Sequence, residues 1–262
     1  MNYETLSYAC KDGVARVTLD RPQAMNAMDI AMMRELLSVA IACDEDPEVR
    51  AVLLTGTGKA FCAGGDLASF AAQGEALPGF LKEATTYLHG ALSRFARMDA
   101  PLITAVNGAA AGAGLSLACA GDLVLAAESA KFTMAYTAAG LTPDGGSSFL
   151  LPRLIGLRRS QELILTNRRL SAEEAREWGL VTQVVADAEL AAESERLAGQ
   201  IAQGPTLAFG GAKRLLLRSS GDALEAQMEL EARAIADAAR SEDGREGIGA
   251  FLEKRKPAFR GR

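Results

Sequence analysis

Ala60-Phe61-Cys62-Ala63-Gly64-Gly65-Asp66-Leu67 is the stretch on which the reading turns, and Asn107-Gly108-Ala109-Ala110-Ala111-Gly112-Ala113-Gly114 is its counterpart. Each follows an apolar run, Val49 to Gly56 in the first case and Leu102 to Asn107 in the second. Each consists largely of residues that leave the backbone bare. A backbone N–H held by a rigid sheet can donate to an oxygen that gains negative charge during a reaction, so two such loops could supply one donor each. Taken singly, a glycine-rich loop more often serves tight turns and close packing.

Working outward, Ala15 to Leu19 alternates as a strand behind an Asp12-Gly13 turn, and Arg21-Pro22 ends it. Met28 to Cys43 carries apolar residues at helical spacing. Val49 to Leu54, Leu102 to Val106 and Leu123 to Ala126 read as buried strands. Gln73 to Leu81, with Gly74, Pro78 and Gly79, reads as a mobile loop over a site. Helices are predicted at Ala84 to Met98, Leu157 to Asn167 and Ala172 to Glu177, then a strand at Val181 to Val185. Strands separated by helices imply parallel pairing with helical crossovers, an α/β (α+β) fold. The remainder is helical: Ala191 to Gln203, Thr206 to Arg218, Ala223 to Arg240 and Gly244 to Lys254. The chain therefore divides into a core at 1–188 and a C-terminal helical subdomain at 189–262.

Composition narrows the function. The 262 residues are 49% hydrophobic and 23% charged, with net charge −5. That is ordinary for a globular protein and offers no basic footprint for nucleic acid. No apolar run has the length of a membrane helix. Met1 to Lys11 lacks the pattern of a signal peptide. A cytoplasmic setting is expected. Four cysteines without a C-x-x-C pair and a single histidine, His89, argue against a zinc site. Cys62 and Cys119 read as small buried hydrophobes. His89, mid-helix between Leu88 and Gly90, reads as structural.

The two loops, at this separation, resemble the paired signatures of the crotonase superfamily (enoyl-CoA hydratase/isomerase). Arg21-Pro22 with Met25-Asn26-Ala27, Ser129-Ala130-Lys131-Phe132, Leu170-Ser171-Ala172-Glu173-Glu174-Ala175 and Trp178-Gly179-Leu180-Val181 extend the resemblance in family order over nearly the whole chain. It implies a crotonase-like spiral of β-β-α turns, an acyl-CoA thioester substrate, and a homotrimer or dimer of trimers. No resident cofactor is implied, CoA being part of the substrate. By motif position, the N–H groups of Gly65 and Ala113 would form the oxyanion hole. Ala113 stands where many relatives carry glycine, which is tolerable unless its φ is positive.

The acid/base groups follow. Family hydratases use two glutamates, and their positions fall at Ser116 and Tyr136, neither a carboxylate. A hydroxyl is a poor base near neutral pH. One acid remains, Asp144, in a segment that resembles the isomerase branch, where an acid after the proline is the catalytic base. A single carboxylate suits a proton shuttle, and Leu141, Phe149, Leu150 and Leu151 could surround it with apolar groups. From local sequence alone, Asp144 reads better as the N-cap of a helix beginning near Ser147, and the family position reverses that preference in favour of the base. The resemblance places CoA near the Ala63 carbonyl and the Asp66-Leu67 turn, although Asp66 also suits helix capping. Tyr136 could line the acyl pocket or pack. Phe251 and Lys254, with Arg255 and Lys256, could meet CoA phosphates from a neighbouring subunit, or form a solvated face.

Overall fold

Asp12 and Gly13 both take left-handed φ, 55° and 77°, and fold β1 (Leu6–Lys11) antiparallel onto β2 (Val14–Leu19). The computed structural model describes residues 3–262; of the stretch read for a signal peptide, Met1 and Asn2 lie outside the described residues. Asp29 caps α1 (Ile30–Glu45) by accepting from the Met32 N–H at 2.9 Å. The chain then runs through β3 (Ala51–Gly56), β4 (Ala60–Cys62), α2 (Leu67–Ala71), α3 (Leu77–Arg97), β5 (Leu102–Val106), β6 (Ala109–Ala111), α4 (Ala113–Cys119), β7 (Leu123–Ala127) and β8 (Lys131–Thr133). It continues through α5 (Ser147–Ile155), α6 (Leu157–Thr166), β9 (Leu170–Ser171), α7 (Ala172–Trp178) and β10 (Gln183–Val185). The last helices are α8 (Leu190–Ala202), α9 (Thr206–Arg218), α10 (Leu224–Arg240) and α11 (Glu242–Leu252).

Three consecutive strand pairs explain the architecture. In β3–β4, β5–β6 and β7–β8 the first strand joins a six-stranded sheet, ordered β1-β2-β3-β5-β7-β10, and the second joins a four-stranded sheet, ordered β4-β6-β8-β9. A helix follows each pair, so the chain climbs as β-β-α turns, the spiral that the family resemblance implies. From β2 onward the large sheet is parallel. Its central strands β3, β5 and β7 are largely buried on both faces, which is why they read as unbroken apolar runs. Val52 and Leu54 enter the main core beneath α1 and α3, whereas Ala51 and Leu53 face a second cluster completed by Leu190, Ala198 and Ala202 of α8. Asn26, fully buried, ties the turns together: its amide donates to the Thr57, Ala60 and Phe61 carbonyls at 2.9, 2.8 and 3.2 Å.

Three local readings need correction. Gln73 to Leu81 is not a loop: Gly74–Ala76 forms a short 3-10 turn, and α3 begins at Leu77. Pro78 lies in the first helical turn, where its missing N–H is no loss. Asp144 is not the cap of α5. Gly146 holds that position at φ 74°, without a side-chain capping bond. Asp144 supplies only its backbone carbonyl, which accepts from the Ser147 N–H and Oγ at 3.2 and 2.8 Å. The strand after Val49 is also displaced, beginning at Ala51. No helix among the described residues is long and apolar enough to cross a membrane.

Candidate active site

β4 and β6 pair in parallel, so the loops leaving their C-terminal ends lie side by side. Gly64, at φ 98°, permits a tight approach: a Cβ there would sit 2.8 Å from the Ala111 carbonyl oxygen and 3.4 Å from the Ala113 nitrogen. Gly114 abuts β4 so closely that a Cβ would fall 2.1 Å from the Cys62 carbonyl oxygen. The next residue of the first loop, Gly65, is bridged to Met28: the Met28 N–H donates to Gly64, and the Asp66 N–H to Met28. Among the described residues neither the Gly65 nor the Ala113 N–H has a protein acceptor. Ala113 opens α4 with a negative φ, so its methyl carries no strain, and its N–H is one of the orphan donors of a helix start.

Both residues line a cavity of about 300 Å³, together with Ala63, Leu67, Tyr136 and Asp144. Met33, Phe70, Leu81 and Ala84 form an apolar wall. Asp66 stands just behind the first loop. It caps α2 through the Ser69 N–H at 3.1 Å and meets Arg21 at 3.0 Å. Burial opposes its charge, but the Ser69 N–H and the Arg21 guanidinium outweigh this and hold its carboxyl below the usual range.

Asp144 faces the cavity with its carboxylate free of any capping duty. The Tyr136 hydroxyl donates to its Oδ1 and lies 3.2 Å from Ser116 Oγ. Burial, then the neighbouring Asp144 charge, pushes the Tyr136 phenol well above its ordinary value, so it stays protonated. Ser116, fully buried, donates its hydroxyl to the Asp144 carbonyl at 3.0 Å. The structure thus gathers positions 116, 136 and 144 at one end of the cavity.

The apolar surround differs from expectation. Leu141 lines the cavity, but Phe149 is 42% exposed beneath Arg153, Leu151 is buried in the core, and neither they nor Leu150 line the cavity. Helical periodicity turns these residues outward or inward from a point past the site. Phe251, 82% exposed, and Lys254, just past α11, do not line the cavity either; within one chain they are not brought to it. Cys62 and Cys119 are buried as expected, and burial pushes both thiols up to about 12, far from a reactive thiolate.

Lys82 escapes the sequence, and so does the partner of His89, a residue read there as structural. Lys82 lines the cavity from α3. His89, also on α3, accepts a hydrogen bond from the Gly145 N–H at 3.1 Å through Nε2. No local motif signals a contact between segments so far apart in the chain; only the predicted α3 helix could have directed attention to them.

The family model for enoyl-CoA hydratase/isomerase matches residues 9–262. The chain belongs to the enoyl-CoA hydratase/isomerase family. Its relatives in this family differ in their named reactions. A protein of Rhodobacter capsulatus named "probable enoyl-CoA hydratase" is 42% identical over 262 residues, all of both chains. The 1,2-epoxyphenylacetyl-CoA isomerase of Escherichia coli is 41% identical, over 95% of this chain and 96% of its own. The crystal structure of an enoyl-CoA hydratase from Polaromonas sp. JS666 superposes with a TM-score of 0.92 at 34% identity, covering 97% of this chain and 99% of that one. The enoyl-CoA hydratase/isomerase fold is therefore a crotonase fold here, and the chain is an acyl-CoA enzyme of that family.

Proposed function

We propose that the chain is an enoyl-CoA isomerase that moves a double bond between the 3- and 2-positions of a thioester, or performs a related shift through an enolate. One observation carries the reading: Asp144 is the carboxylate that faces the cavity beside the two acceptor-free N–H groups, while Ser116 and Tyr136 occupy the glutamate positions of family hydratases. In the forward sense Asp144 takes a proton from C2 of a 3-enoyl thioester. The electron pair moves into the carbonyl, and the enolate oxygen rests on the N–H groups of Gly65 and Ala113. The protonated Asp144 then returns the proton to C4, the double bond settles between C2 and C3, and no atom is gained or lost. Ala63 and the Asp66-Leu67 turn are assigned to the CoA moiety. The chemistry needs no resident cofactor, since CoA arrives with the substrate.

The E. coli relative's printed name extends the substrates worth testing to aryl acetyl thioesters. The R. capsulatus relative's name keeps hydration as the second reading, with water held between Asp144 and Tyr136. Exposed apolar side chains on α9–α11, among them Leu216, Leu224, Ile235 and Phe251, support assembly as a trimer or dimer of trimers, which could bring Phe251 and Lys254 to a neighbour's CoA. Incubation with a 3-enoyl-CoA and a trans-2-enoyl-CoA, followed by mass and ultraviolet absorbance, tests the reading. New conjugated absorbance at constant mass, lost in Asp144→Asn, is the expected result. A gain of one water from the 2-enoyl substrate assigns hydration instead. Tight binding without turnover across a broad panel of acyl groups would make the protein a CoA-binding scaffold.

A further inference from the structure

We infer that His89 is a positioning residue for Asp144, acting through the single peptide group that joins Asp144 to Gly145; this rests on the reading of Asp144 as the proton-transferring group. The carbonyl of that peptide accepts from Ser116 Oγ at 3.0 Å and from Ser147 Oγ at 2.8 Å. Its N–H donates to His89 Nε2 at 3.1 Å. Carbonyl and N–H point to opposite sides of a planar peptide. The plane is therefore gripped by α4 and α5 on one side and by α3 on the other, which fixes ψ of Asp144 and φ of Gly145.

The grip matters because the segment has little stiffness of its own. Gly145 and Gly146 are consecutive glycines at φ 60° and 74°. A side chain at Gly145 is excluded, since its Cβ would lie 2.8 Å from Ser116 Cβ. Glycine is the residue with the broadest backbone freedom, so what holds this turn must come from outside it. His89 suits the task. It sits on α3 beside the buried Leu88 and close to Leu92, while its own ring is largely exposed and adds little to the core. To accept from an amide, Nε2 must be the unprotonated nitrogen of a neutral ring. The ring is not among the groups lining the cavity, and its contact with the Asp144 segment is through the backbone.

The test compares His89→Leu, which removes the acceptor, with His89→Gln, which keeps one, in the full chain. The readouts are kcat and KM for deuterium wash-in from D2O at C2 of an acyl-CoA, with melting temperature as a folding control. His89→Leu should lower kcat by about 10- to 100-fold, the range a small misplacement of a reacting group produces, at unchanged KM and melting temperature. His89→Gln should recover most of the rate. A His89→Leu rate close to wild type overturns the inference, as does a loss that tracks melting temperature and is equal in His89→Gln. Asp144→Asn is run beside them. If it abolishes wash-in while His89→Leu is silent, only the positioning role fails. If it leaves wash-in intact, or the wild type shows none, the role of Asp144 fails and the positioning role falls with it.

Discussion

The Tyr136 hydroxyl is hydrogen-bonded to the carboxylate of Asp144, eight residues further along the chain. The bond joins Tyr136 to the acid proposed above as the proton shuttle, and it holds the carboxylate in one orientation. Tyr136→Phe removes a hydrogen bond to a charged group, worth about 1.5–3 kcal/mol. The expected outcome is a fall in kcat with KM little changed, read from steady-state kinetics on the substrate that Asp144 turns over. A higher KM at unchanged kcat would assign Tyr136 to substrate binding.

Ala113→Pro deletes an N–H without demanding a new fold. Ala113 is the first residue of α4, the position where proline is best tolerated. Loss of one oxyanion donor should cost about 10²–10³ in kcat. Circular dichroism should show the helices unchanged; kinetics equal to the wild type would place the developing charge elsewhere.

Asp66 gives a pH dependence with a definite sign. Its carboxyl is held below 3.8, its ordinary value, so its ion pair with Arg21 and its cap on α2 stabilise the fold fully above that value. The contribution fades as pH falls through the lowered value. Asp66→Asn should therefore melt at a lower temperature than the wild type near neutral pH, with the gap narrowing below pH 3.8. Thermal melts across the acid range test this; a gap that stays constant would deny the pair its role.

Lys213 anchors α9 to the core. Its ammonium reaches the Phe95 and Ala100 carbonyls, each at 3.0 Å, and Asp122 at 2.7 Å. Burial lowers the lysine's pKa and raises that of Asp122, so each depends on the other to stay charged. Lys213→Ala strands the Asp122 carboxylate and should cost about 3–5 kcal/mol in urea unfolding. The double variant Lys213→Met, Asp122→Asn should recover part of that loss, because no lone charge remains.

Much of this was legible in the sequence because the features are local. Bare-backbone loops after apolar strands announce themselves through glycine and alanine, and Asp144 stands out as an acid in the segment where two glutamates are missing. The paired buried strands read as apolar runs for the same reason that they pack on both faces. What could not be read depends on contacts between distant segments. The Tyr136–Asp144 bond forms across a turn that includes Gly140, and the His89–Gly145 bond joins α3 to a segment 56 residues away. The glycines and proline of Gln73 to Leu81 suggest a break, but Gly74 falls in the 3-10 turn ahead of α3, and Pro78 and Gly79 fall in the first turn of α3, where proline costs no hydrogen bond.

The acceptor-free donors of the site are peptide groups, and their spacing is set by the ladder between β4 and β6. A side-chain substitution cannot delete a peptide N–H unless it installs proline. The groups at positions 116, 136 and 144 are, by contrast, ordinary side chains. On the reading proposed above, a lineage can therefore exchange one set of acids and hydroxyls for another, step by step, and keep both N–H groups that would hold the thioester oxygen. Diversification of the reaction is decoupled from the part of the site hardest to reinvent.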